Sequence, residues 1–223
     1  MLQFITNASD KYSIAEEVQM AIEGGCKWIQ LRMKDASYEQ QRETALEIIP
    51  VCRENDVILV IDDNVELVKE LHVHGVHLGK EDMPAAEARE YLGPHAIIGV
   101  TANTADDILA FKGIDVDYIG LGPFRYTTTK KKLSPVLGID GYRKIVDEVR
   151  KAGNELPIVA IGGITLNDID DIMSTGVQGI AMAGSIINAD DPVKYTEEVI
   201  SRLKKRTTTI ITNNISLSQN GLT

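Results

Sequence analysis

HGVHLG at residues 74–79, DYIGLGPF at 117–124, PIVAIGGI at 157–164 and QGIAMAGS at 178–185 repeat one design. In each, an apolar core ends in small residues where the chain must turn. Similar runs at 3–6, 28–34, 57–62 and 97–101 complete a set of eight strands, the four quoted ones falling at 76–79, 118–122, 158–162 and 179–183. Helical patterns separate them. Ser13 and Glu16 form a capping box for the first helix. The others fall at 37–54 (with Pro50 as a kink), 65–71, 84–92, 104–111, 138–152, 167–174 and 192–205. Strict alternation of eight strands with eight helices calls for right-handed parallel connections and a sheet covered by helices. An open doubly wound sheet would usually carry a GxGxxG turn after its first strand, and none is present. The sequence therefore predicts an α/β protein with a (β/α)8 TIM barrel in a single domain.

A chain of 223 residues with 43% hydrophobic content suits one domain, which should bury roughly 70 to 75% of its unfolded surface. With 33 acidic side chains against 23 basic ones, the surface field repels nucleic acid and anionic lipid. An anionic ligand must then find a local basic pocket. No run approaches the ~20 apolar residues that span a bilayer, and the N-terminal stretch, interrupted by Asn7 and Asp10, does not read as a signal peptide. Cys26 and Cys52 lack a CxxC pairing and read as reduced, buried residues. A cytoplasmic protein is expected, with no nucleic-acid or membrane partner; a homo-oligomer is left open. Residues 207–223 carry no charge and are rich in Thr, Asn and Ser, which reads as a disordered tail beyond a barrel of residues 1–206.

Active sites of such barrels lie at the carboxyl ends of the strands. Alternation along WIQLRMKD sends Ile29, Leu31 and Met33 toward the helices and Gln30, Arg32 and Lys34 into the lumen, where buried cations need an anion. Asp62 and Asp63 end the third strand, and Asp82 follows the fourth. Carboxylates from adjacent strand ends are hard oxygen ligands suited to Mg²⁺. Read singly, Asp63 is equally an N-cap and Asp82 equally a residue preceding a helix start. GPFRYTTTKKK at 122–132 offers three hydroxyls and three lysines to an anion, with Lys130 the best candidate. Gly162-Gly163 and Ala183-Gly184-Ser185 are small-residue turns of the kind that hold phosphate through backbone N–H groups. His72, His74 and His77 straddle a helix end and a strand start, so they are expected to point apart rather than bind zinc.

Taken together, QLRMK, IDD, GVHLGKED, GPFRYTTTK, AIGGI and the turn at Ala183–Ser185 resemble the thiamine-phosphate synthase (thiamine-phosphate pyrophosphorylase) family, in order, over residues 1 to about 205. The resemblance implies an enzyme that joins hydroxymethylpyrimidine diphosphate to a thiazole phosphate and releases pyrophosphate. It implies Arg32, Lys34 and Lys130 as catalytic cations. Gln30, Leu31, Arg32, Met33, Lys34, Asp62, Thr101 and Lys130 would line the pyrimidine-diphosphate site. Thr127, Thr128, Thr129, Gly163, Ala183 and Gly184 would hold the thiazole phosphate, and Asp63 and Asp82 a Mg²⁺. Partners are then small phosphorylated molecules.

Four positions depart from the family pattern. Asp62 stands for its usual Asn, Lys80 for Gln, Thr101 for Ser and Asn103 for His. The extra charge of Asp62 is expected to be offset by Lys80 or a proton. Two rival readings are a thiazole tautomerase, which needs no diphosphate site and wants a histidine near the sixth strand, and a non-catalytic sensor of thiamine phosphates, which could dispense with the metal carboxylates.

Overall fold

Alternate residues of every strand face different surroundings, and this parity builds the molecule. The structure is a computed structural model, and it describes residues 1–7, 9–126 and 135–205. Its strands β1 (Leu2–Ile5), β2 (Trp28–Leu31), β3 (Ile58–Asp62), β4 (Gly75–Leu78), β5 (Ile97–Ala102), β6 (Tyr118–Leu121), β7 (Ile158–Ile161) and β8 (Gly179–Met182) close into one parallel barrel in sequence order. β1 pairs with β8 to shut it, Leu2 opposite Ile180.

Outward residues such as Phe4, Ile29, Leu59, Ile98, Ile119 and Ile180 are fully buried against the helices. Each contributes ~1.5–3 kcal/mol by leaving water. Inward residues Ile5, Trp28, Tyr118, Val159 and Ala181 form a second, smaller cluster filling the barrel axis. The two cores are separated only by the sheet.

Around the barrel run α1 (Ile14–Glu23), α2 (Tyr38–Glu54), α3 (Val65–Leu71), α4 (Ala85–Leu92), α5 (Ala105–Leu109), α6 (Gly138–Lys151) and α7 (Ile169–Ser174). Capping boxes open α1 at Ser13/Glu16, α2 at Ser37/Gln40 and α5 at Thr104/Asp107, each satisfying amides that the first helical turn leaves without partners. Pro50 lies inside α2, as expected. Two features depart from the expected pattern. The second strand stops at Leu31 rather than running to residue 34, and a short helix α8 (Gly184–Ile187) is inserted between β8 and the final helix α9 at 192–205. Cys26 and Cys52 are buried free thiols. Among the described residues, no helix is long and apolar enough to cross a membrane. The segment 207–223 lies outside the described residues.

Candidate active site

Early termination of β2 changes the reading of its polar residues. Gln30 is inward-facing and only 2% exposed, as alternation predicts. Leu31 packs its side chain into the outer core, so it can meet a ligand only through its main chain. Past the strand end, alternation no longer applies. Met33 packs partly against the outer core, and Lys34 is exposed at the mouth rather than buried in the lumen. Arg32 is held there by β1, since its amide donates to Thr6 Oγ1 at 2.9 Å and its carbonyl accepts from the same hydroxyl at 3.3 Å.

Asp62 binds both neighbours from β2 and its exit. Gln30 Nε2 donates to Asp62 Oδ1 at 2.5 Å, and Arg32 Nε lies 3.3 Å from Asp62 Oδ2. Lys80, the expected counter-charge, pairs instead with Asp107 at 2.6 Å, and that carboxylate also accepts the Thr104 amide at 3.0 Å in the capping box of α5. So Asp62 is offset by Arg32 and the Gln30 amide, not by Lys80. A carboxylate can only accept, which fixes the orientation of the Gln30 amide. Its Oε1 is then left buried with no hydrogen-bond partner among the described residues. Buried acceptors are nearly always paired, so this orphaned oxygen calls for a partner from outside the described residues.

Asp63 has φ +64, a left-handed conformation that Asp tolerates better than most residues. The N-cap of α3 is Asn64, whose side chain accepts from the Leu67 amide at 3.0 Å. Asp63 is thereby relieved of the capping role that its sequence allowed. Asp82 anchors its loop by accepting the Gly79 amide at 2.6 Å. Burial first, then the charge of Asp62 and a hydrogen bond with Asp82, push the Asp63 carboxyl up to about 7, while nearby Lys34 pulls the other way. Two carboxyl groups from neighbouring strand ends, close enough to share a proton, are a donor set that a hard divalent cation relieves by replacing that proton. The pair fits Mg²⁺.

Deeper in the mouth, Thr101 faces inward from β5. His77 Nε2 lies 3.0 Å from Thr101 Oγ1, its Nδ1 lies 3.0 Å from Tyr118 OH, and Gln3 Nε2 donates to the same phenol at 3.0 Å. The three histidines do part company: His72 caps the end of α3, and His74 Nδ1 accepts the Leu59 amide at 3.1 Å.

On the far side, Gly162 (φ +104) and Gly163 (φ +65) turn the chain out of β7. A Cβ on Gly162 would stand 2.7 Å from that of Pro123, so this turn is also required by close packing. Arg125 fixes it, donating to Gly163 O at 2.7 Å and pairing with Asp168 at 2.8 Å. After β8, Ala183 precedes α8, where the Gly184 and Ser185 amides meet no acceptor among the described residues. A short extra helix after the eighth strand is a recurrent phosphate-binding device in this architecture. Asn103, which stands in place of a family His, donates from Nδ2 to Gly122 O at 2.6 Å and so buttresses the start of the loop carrying residues 122–132. Thr127, Thr128, Thr129 and Lys130 lie outside the described residues.

The loop from β1 to α1 hangs on Glu17. Although α1 is a surface helix, Glu17 is fully buried, and its Oε2 accepts the Asn7 amide at 3.0 Å. Burial pushes its carboxyl up to about 7, against the hydrogen bond from the Asn7 amide.

The mouth thus brings together Gln30, Arg32, Asp62, Asp63 and Asp82, with Lys34 at its rim and Thr101 at its floor. Gln3, His77, Tyr118, Arg125 and Glu17 escaped the sequence reading as site-forming residues. Parity in HGVHLG and DYIGLG would have pointed His77 and Tyr118 inward, next to glycines that leave them room.

A family model described as thiamine monophosphate synthase matches residues 2–186. The thiamine-phosphate synthase of Bacteroides fragilis is 54% identical over 200 residues, which is 90% of this chain and 98% of that one. That of Flavobacterium psychrophilum is 42% identical over 205 residues, 92% of this chain and 98% of its own. The solved thiamine phosphate pyrophosphorylase from Pyrococcus furiosus superimposes with a TM-score of 0.80 at 33% identity, covering 92% of this chain and 95% of the other. Both sequence and fold agree over nearly the whole length of these relatives: the chain belongs to the thiamine-phosphate synthase family.

Proposed function

We propose that the barrel joins 4-amino-2-methyl-5-hydroxymethylpyrimidine diphosphate to 4-methyl-5-(2-phosphoethyl)thiazole, giving thiamine phosphate and pyrophosphate in a Mg²⁺-dependent transfer. Asp63 carries the reading. It is held in a left-handed conformation, freed from helix capping by Asn64, and turned on Asp82. That pair would hold the metal, which when bound neutralises charge on the departing diphosphate.

The chain's own groups supply the rest. Arg32 and Lys34 approach the diphosphate from the β2 exit, with Lys130 as a third cation from the loop after β6. Gln30 lines the aminopyrimidine site, and Thr101 offers its hydroxyl to the ring. The Gly163 turn, the Gly184 end of α8 and the Thr127–Thr129 hydroxyls hold the thiazole phosphate, setting the ring nitrogen toward the pyrimidine CH₂. The C–O bond to diphosphate breaks with its electron pair leaving on pyrophosphate, and the thiazole nitrogen supplies the pair for the new C–N bond. No protein nucleophile is required, so the protein's task is to orient, exclude water and stabilise the leaving charge. A thiazole-phosphate isomerase would have no use for Asp63 and Asp82, and residues 118–126 contain no histidine to serve one.

Incubating the protein with both substrates and Mg²⁺, and separating products, tests the proposal. Thiamine phosphate and pyrophosphate are expected; turnover of a thiazole isomer alone, with no joining, contradicts it.

A further inference from the structure

We propose that Gln3, Tyr118 and His77 form a positioning relay that fixes the Thr101 hydroxyl as a hydrogen-bond donor toward a ring nitrogen of the pyrimidine. The inference rests on the reading above for the identity of the ligand, but the relay itself is a property of the free barrel. Its elements come from four strands, β1, β4, β5 and β6, meeting on the barrel axis.

The direction of the relay follows from counting protons. Gln3 Nε2 donates to Tyr118 OH at 3.0 Å. Burial drives the phenol well above its ordinary range, so it keeps its proton. With one lone pair taken by Gln3, the Tyr118 proton goes to its other hydrogen-bonding neighbour, His77 Nδ1, at 3.0 Å. An imidazole that accepts at Nδ1 carries its hydrogen on Nε2 when neutral. That hydrogen points to Thr101 Oγ1, 3.0 Å away. Thr101 therefore receives from below and must spend its own proton elsewhere. Among the described residues, its hydroxyl has no other hydrogen-bond partner, and it stands half-buried at the mouth.

The lumen is shaped for this chain. A Cβ on Gly99 would fall 2.0 Å from the Tyr118 ring, and one on Gly120 would fall 2.9 Å from the His77 ring. Tyr118 is braced edge-on against Trp28, with ring centroids 4.7 Å apart. Barrel axes are usually filled by branched apolar residues. Replacing them with Gln, Tyr and His is costly unless every polar group is paired, and here the pairing ends at a donor aimed at the substrate space. The acceptor selected by such a donor is an aromatic nitrogen lone pair, which an aminopyrimidine has and a benzene or exocyclic amine lacks.

Two measurements on the intact protein decide this. In histidine-¹⁵N-labelled protein, with the four histidines assigned by substitution, neutral His77 is expected as the Nε2–H tautomer. An Nδ1–H tautomer reverses the relay and overturns the proposal. Kinetically, Tyr118→Phe keeps the Trp28 stack and removes only the hydroxyl. It should raise KM for the pyrimidine diphosphate about five- to tenfold, as expected for one weakened hydrogen bond, while kcat and the KM for the thiazole phosphate stay near wild type. Equal shifts in both KM values, or none, contradict it. If the wild-type protein fails to form thiamine phosphate at all, the proposed function falls, and the His77 spectrum still decides the relay.

Discussion

Arg32 and Asp62 are ion-paired at the barrel mouth, Nε to Oδ2 at 3.3 Å, with side chains only 16% and 10% exposed. A cation offered to a diphosphate is therefore already engaged by a carboxylate, where the family pattern has Asn. Screening is weak at such burial, so the pair competes directly with an anionic ligand.

Replacing that carboxylate tests the competition. Asp62→Asn retains an acceptor for Gln30 Nε2 and releases Arg32 toward the ligand. The KM for the pyrimidine diphosphate should fall by about three- to tenfold, equivalent to ~1 kcal/mol of recovered charge-assisted bonding. A rise in KM would mean that Asp62 serves mainly to aim Arg32.

Asp63→Asn should be informative because Asn also tolerates the left-handed backbone at φ +64. Removing the charge while keeping the shape should lower kcat/KM by at least about a hundredfold at limiting Mg²⁺. Thermal stability should hold or rise, since a desolvated carboxyl beside two others is lost. Unchanged activity in a Mg²⁺ titration would remove Asp63 from the metal site.

For the thiazole phosphate, Gly184 is a cleaner probe than Gly163. A side chain at Gly163 is strained by its φ of +65 and would crowd Arg125 and Tyr126 at 3.1 Å, whereas at Gly184 the nearest atom is Asn188 Nδ2 at 3.4 Å. Gly184→Val should raise KM for the thiazole phosphate at least about tenfold and leave the KM for the diphosphate near wild type. Parallel changes in both would assign the turn a purely structural role.

Glu17 sets a pH dependence of stability. Its folded-state carboxyl is raised from an ordinary 4.5 to about 7, so between these values the folded chain binds more protons than the unfolded one. Stability from this group therefore falls as pH rises through that window and levels off above it. Glu17→Gln keeps an acceptor for Asn7 and should flatten the slope by up to ~1.4 kcal/mol per pH unit. Urea melts from pH 4.5 to 8 give the comparison; identical slopes in both proteins would show that Glu17 titrates normally.

The barrel was legible because its signal is repetitive: small-residue turns after apolar runs, with caps such as Ser13/Glu16 between them. Strand parity alone turns Gln30 inward, whereas Asp63 and Asp82 each have a capping use and stand out only as a pair from adjacent strand ends. Reading failed where backbone geometry intervened. Strand parity extended past Leu31 puts Lys34 in the lumen, but β2 ends at Leu31, Thr6 ties down Arg32, and Lys34 stands at the rim. Of the two expected offsets for Asp62, Lys80 or a proton, Lys80 is taken instead by Asp107, which reaches it from α5 at a distance of 27 positions. The relay of Gln3, Tyr118 and His77 draws on strands far apart in the chain, and no local pattern announces such a meeting. Helix α8 was missed because four residues are too few to show a period.

The most direct test of the central claim is the stoichiometry of the joining reaction. With both substrates and Mg²⁺, pyrophosphate and thiamine phosphate should appear one for one, and omitting either substrate or chelating the metal should stop both. Pyrophosphate release that continues without the thiazole phosphate, or thiamine phosphate formed at full rate after chelation, would contradict a Mg²⁺-dependent transfer at this site.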